Sequence, residues 1–82
     1  MAAALKDLVE GIARSIVDHP AEVLVTETGG DQVITLALRV APADLGRVIG
    51  KQGRTARSMR TLLTAAALKA NRRVNLEIVE DR

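Results

Sequence analysis

The 82-residue sequence has no cysteine and no phenylalanine, tyrosine or tryptophan. Without cysteine there is no disulfide scaffold, no thiolate zinc site and no cysteine nucleophile. Without aromatic rings the core must be built from Leu, Ile, Val, Met and Ala. Long apolar runs are missing too. The longest is Met1–Leu5, against the roughly 18 residues a membrane helix needs. That run also lacks the basic start and longer apolar stretch of a signal peptide, so the expected location is cytoplasmic, with no membrane partner. What is present is ordinary for a globular protein: 48% apolar and 27% charged residues. Residues 1–82 are expected to form one small domain.

The most informative absence is local. Residues 45–76 contain eight basic side chains and no acid, a net charge of +8, whereas residues 1–44 carry −4 and residues 77–82 carry −2. The basic residues are Arg47, Lys51, Arg54, Arg57, Arg60, Lys69, Arg72 and Arg73. Such a stretch is either a solvated face balanced by acids elsewhere in the fold or a surface for a polyanion, and charge alone leaves both open.

Hydropathy patterning gives the element order. Leu5, Leu8, Val9, Ile12, Ala13, Ile16 and Val17 recur at helical spacing, with Lys6, Asp7, Glu10, Arg14 and Asp18 opposite, and Pro20 ends that helix. Val23–Thr26 reads as a short strand, and Gly29-Gly30-Asp31 as a tight turn. Ile34, Leu36, Leu38 and Val40 then alternate as a second strand, which completes a hairpin. Pro42 opens a helix of about two turns that Gly50 terminates. After Gly53, the residues Ala56, Met59, Leu62, Leu63, Ala66, Ala67 and Ala70 mark a longer helix, which Asn71 closes in left-handed geometry. Val74, Leu76 and Ile78 alternate in a last strand. The expected fold is α+β, in the order α-β-β-α-α-β. Two helices crossing over between strands predict a three-stranded mixed sheet with helices on one face.

Chemistry concentrates in Gly46-Arg47-Val48-Ile49-Gly50-Lys51-Gln52-Gly53-Arg54. Two glycines bracket Lys51-Gln52 between a helix end and a helix start. Glycine permits positive φ and removes the side chain that would block another backbone. The following helix aims its unpaired N–H groups and positive dipole end at the same place. A phosphodiester fits there, with Lys51 and Arg54 adding charge. The same residues also suit a plain helix–helix turn. No nucleotide-hydrolysing loop is present, because Gly46 and Gly50 are one residue too close and Gln52 stands where a magnesium-binding hydroxyl is needed. His19, the single histidine, has no second histidine or close carboxylate cluster around it, so no catalytic residue, metal site or cofactor is expected.

In its context between two helices, Val48-Ile49-Gly50-Lys51-Gln52-Gly53 resembles the Gly-x-x-Gly signature of KH domains. A helix and hairpin ahead of a β-α-α-β core resembles the type II, bacterial form. The stretch Ala41–Arg54 looks like the small stand-alone bacterial KH proteins of the KhpA family. The resemblance covers nearly the whole chain. It implies a non-catalytic, cytoplasmic protein that binds single-stranded RNA with little sequence preference, clamping about four nucleotides by the backbone. On that pattern Gly50 and Gly53 permit close approach, Lys51 and Gln52 face the phosphates, and Arg47, Arg54 and Arg57 flank the strand. Gly46 and Ile49 floor the base groove, although Ile49 suits plain core equally well. Arg60 borders the apolar face and suits either RNA contact or a stem laid along that face. Arg72 and Arg73 suit either a solvated turn or RNA contact. The family also implies self-association or pairing with a larger KH-containing partner, KhpB. The alternative function is therefore a protein-interaction module with weak or indirect RNA contact.

Overall fold

The computed structural model describes residues 2–30 and 32–80 of the chain. Six elements follow in the expected order: α1 (Ala2–Ile16), β1 (Leu24–Gly29), β2 (Val33–Arg39), α2 (Leu45–Ile49), α3 (Arg54–Lys69) and β3 (Arg73–Ile78). Single 3-10 turns lie at Pro20–Glu22, Pro42–Asp44 and Lys51–Gly53. Pro42 therefore starts a 3-10 turn that runs into α2, rather than the α-helix itself.

β2 is the central strand. It pairs antiparallel with β1 and parallel with β3, from Val33 opposite Arg73 to Leu38 opposite Ile78. Its alternation sends Ile34, Leu36 and Leu38 into the core, while Val33 and Arg39 stay exposed on the other face. The helices supply the opposing layer: Leu5, Val9 and Ala13 from α1, Val48 from α2, and Ala56, Met59, Leu63 and Ala67 from α3. This one-sided burial is what an alternating strand between a helical layer and water requires.

The structure trims two of the expected stripes and lengthens one strand. Leu8 is 37% exposed and Leu62 54% exposed, so each helix buries one narrow ridge and leaves the neighbouring leucine outside. β1 continues to Gly29, three residues past Thr26, through pairs such as Glu27 with Leu36 and Thr28 with Thr35. Backbone pairing there needs no apolar side chain, so hydropathy carries no sign of it. Gly29 takes φ 116°, and the Gly30 N–H donates to the Val33 carbonyl at 3.0 Å; Asp31, part of the expected turn, lies outside the described residues. Asn71 takes φ 57° and ends α3 as expected.

Among the described residues, one polar side chain lies in the core. Asp44, at the start of α2, is fully buried. Its Oδ1 accepts the Asp18 N–H at 3.2 Å, and its Oδ2 accepts the His19 N–H at 2.9 Å and lies 3.0 Å from His19 Nδ1. The carboxylate thus ties the chain leaving α1 to the segment entering α2. Asp44's hydrogen bond, then its charge, holds the His19 imidazole above its ordinary 6.5, with Glu22 and Asp18 adding smaller contributions against a modest desolvation. Burial pushes the Asp44 carboxyl up, but His19 and the two backbone N–H groups more than offset it, leaving it below 3.8.

Two outcomes are expected. His19 stabilises the fold fully below its ordinary pKa, and that contribution is lost as pH rises through the raised value. Asp44 contributes above its ordinary pKa and loses it as pH falls through the lowered one. The melting temperature should therefore peak between about pH 4 and 6.5 and decline as the pH rises above about 6.5. His19→Ala should flatten the alkaline decline, and Asp44→Ala should lower the melting temperature further, because it also strands two backbone donors. Separately, Gly11 lies on the exposed side of α1 with nothing within 4 Å of the place a Cβ would take. Gly11→Ala should stabilise the protein by about 0.5–1 kcal/mol in urea unfolding.

Candidate functional site

The junction between α2 and α3 is made by backbone geometry that ordinary residues avoid. α2 stops at Ile49, and Gly50 takes φ 77°, ψ 170°, a region open to glycine almost alone. A Cβ at Gly50 would run into the side chain and backbone nitrogen of Thr55. Gln52 (φ 58°, ψ 26°) and Gly53 (φ 73°, ψ 14°) are both left-handed. Three of the four residues from Gly50 to Gly53 therefore have positive φ, and Gln52 bears the strain without being glycine. The Gly50 N–H bonds to the Gly46 carbonyl at 2.8 Å, and the Gly53 N–H to the Gly50 carbonyl at 3.1 Å. At Gly53 nothing stands within 4 Å of a notional Cβ, so that side of the loop is open. α3 begins without a side-chain cap; the Arg54 N–H is taken by the Lys51 carbonyl, and the positive dipole end of the helix faces the loop.

Around this backbone the charges divide into committed and uncommitted groups. Lys51, Arg54 and Arg57 are exposed, and none of them pairs with a carboxylate among the described residues. Arg54 donates to Gln52 Oε1 at 3.3 Å, across the loop. By contrast, the Arg47 guanidinium lies 3.2 Å from the Asp18 carboxylate, and Arg60 Nε donates to the Leu76 carbonyl at 3.3 Å. Arg60 thereby ties α3 to β3, in keeping with a stem laid along the apolar face.

Below the loop runs a groove of 270 Å³ lined by Ile49, Gly53, Ala56, Arg60, Ile78 and Glu80. One wall is the start of α3 and the other is the end of β3. β3 is the sheet edge. The Arg73 and Val79 N–H groups bond to the Gln32 and Leu38 carbonyls of the β2 side, so by alternation Val74, Leu76 and Ile78 turn their backbone groups to the open side. Of the residues singled out in the sequence, Ile49, Gly50, Lys51, Gln52, Gly53 and Arg54 gather at the loop. Gly46 is exposed behind it on α2, and Arg47 faces Asp18. Arg57 lies one turn along α3 and borders a second hollow of 420 Å³ with Arg60, Thr61, Thr64, Ala65 and Leu68. Ala56, Ile78 and Glu80 were not singled out. A crossover that lays the last strand beside the longer helix points to them, since it brings the strand's end under the loop. Among the described residues no three His, Cys, Asp or Glu side chains cluster as metal ligands, and no helix is long and apolar enough to cross a membrane.

The family model described as the KH domain of KhpA/KhpB matches residues 6–78. Among curated relatives, the RNA-binding protein KhpA of Clostridium acetobutylicum is 56% identical over 75 residues, covering 92% of this chain and all of that protein. The KhpA protein of Aquifex aeolicus is 54% identical over 77 residues, 94% of this chain and 98% of its own. That of Treponema pallidum is 49% identical over 75 residues, covering 92% and 94%. No solved structure gives a significant match.

The loop geometry separates the two glycines energetically. Gly50→Ala meets both a forbidden backbone region and the Thr55 contact, and should cost about 2–4 kcal/mol. Gly53→Ala meets only the left-handed conformation and should cost about 1 kcal/mol. Urea unfolding of the two variants measures the difference; equal losses would contradict the Thr55 contact.

Proposed function

The chain belongs to the KhpA/KhpB KH-domain family, and on that premise we propose that it is a cytoplasmic, non-catalytic protein that binds single-stranded RNA with little sequence preference. Residues 1–82 act as one KH domain and need no cofactor. One observation supports this most: a loop with three positive-φ residues, whose Lys51 and Arg54 have no carboxylate partner among the described residues, stands above a groove lined by Ile49, Gly53, Ala56, Arg60, Ile78 and Glu80. The phosphodiester rests on the Gly50–Gly53 backbone and the start of α3, with Lys51 and Gln52 at the phosphates and Arg54 and Arg57 along the strand's path. Ile49, with Ala56 and Ile78, receives the bases, and Gly46 leaves the back of the loop unobstructed. Arg47 exchanges Asp18 for a phosphate when RNA is present. The groove takes splayed nucleotides, whereas an A-form duplex keeps its bases stacked inside, so single strands are preferred.

A second reading has its own support. The outer side of α3 leaves Leu68 66% exposed in the 420 Å³ hollow, and Leu62 is 54% exposed farther round the helix. That surface suits self-association or docking to a larger KH-containing, KhpB-like protein. The two roles use adjacent faces and are compatible.

Titration of the chain with a single-stranded RNA at several salt concentrations tests the first reading. Three to five phosphate contacts imply a slope of log K against log[salt] of roughly −2 to −3.5. Changing both Lys51 and Gln52 to Asp keeps both glycines, and Asp tolerates the left-handed position of residue 52. It reverses charge beside the phosphate, so affinity should fall at least about tenfold with an unchanged circular dichroism spectrum. A salt slope near zero, or a folded double variant that binds as the parent does, would leave docking by α3 as the function.

A further inference from the structure

The groove beneath the loop has one side-chain acceptor. Ile49, Gly53, Ala56 and Ile78 bring no hydrogen-bonding side chain, and Arg60, whose Nε–H is taken by the Leu76 carbonyl, can only donate. The remaining lining residue is Glu80, an exposed carboxylate with no ion pair among the described residues. Its position follows from the strand. Val79 still bonds to the Leu38 carbonyl, so the chain stays extended past Ile78, and residues two apart fall on one side. Glu80 therefore follows Ile78 into the groove wall, on the β3 side, while Lys51, Gln52 and Arg54 hold the loop side.

Resting on the RNA-binding reading above, we propose that Glu80 makes this groove discriminate against uridine in favour of bases that carry an amino group. A phosphate is drawn to the cationic loop and repelled by the carboxylate, so a bound nucleotide turns its base edge toward Glu80. An ionised carboxylate only accepts hydrogen bonds. Cytosine offers its N4 amino group, adenine its N6 amino group and guanine its N1–H and N2 amino group. Uracil offers one N3–H between two carbonyl oxygens, whose lone pairs face the carboxylate. Amino-bearing bases therefore gain a charge-assisted hydrogen bond that uridine does not match. The groove still tolerates three of the four bases, in keeping with weak overall sequence preference.

The experiment is a fluorescence titration of the full chain with labelled pentacytidylate, penta-adenylate and pentauridylate at one salt concentration. The parent should bind the first two about fivefold more tightly than the third. Glu80→Ala should bring the three within about twofold, chiefly by weakening pentacytidylate and penta-adenylate binding. Glu80→Gln should do likewise, since a side-chain amide donates to the uracil carbonyls as readily as it accepts from an amino group. The melting temperature should not move, because the side chain is exposed. An unchanged preference in both variants, or a parent that favours pentauridylate, overturns the role of Glu80 while leaving RNA binding intact. A parent that binds none of the three overturns the RNA reading and this one with it.

Discussion

A single buried carboxylate decides where the loop points. α2 is only five residues long, too short to hold its own geometry. It is fixed from its two ends: Val48 sits in the core, and the Asp44 carboxylate gathers the backbone of Asp18 and His19 together with the His19 ring. Because α2 ends at Gly50, any tilt of that short helix is passed straight to the Gly50–Gly53 loop. The end of α1, more than twenty residues away in sequence, is thus part of what aims the loop.

Much of this architecture is legible in the sequence, because water and backbone geometry read it in the same way. The alternation of Ile34, Leu36 and Leu38 marks a strand with one wet face, and that is what β2 is. The glycines at 50 and 53 mark positive φ, and both adopt it. What escaped does so for physical reasons. Leu8 and Leu62 keep helical spacing yet stand outside, because spacing defines a stripe and not the width that the opposing layer covers. The left-handed Gln52 is invisible, since glutamine has no special preference for that region and its conformation is imposed by the glycines on either side. His19 and Asp44 lie 25 residues apart, and nothing local joins a loop histidine to an aspartate ahead of a helix.

The site illustrates how a domain without aromatic rings handles a polyanion. Stacking on Phe, Tyr or Trp is unavailable to it. On the reading proposed here, affinity comes from the loop backbone and from cations left free by the absence of acids between residues 45 and 76. The groove then receives bases against Ile49, Ala56 and Ile78, between walls that carry Arg60 and Glu80. Acids return to the sequence at Glu77, Glu80 and Asp81, and the fold carries Glu80 to the wall opposite the cations. The linear separation of charge becomes a separation across a single groove.

The hydrogen bond from Arg60 to Leu76 has a bearing on solubility. β3 is an open sheet edge, and an open edge is a template on which a foreign strand can add. Strand addition needs an uninterrupted ladder, here through the backbone of Val74, Leu76 and Ile78. The guanidinium occupies the middle rung by taking the Leu76 carbonyl. A side chain reaching over from α3 thereby interrupts the ladder that a foreign strand would need.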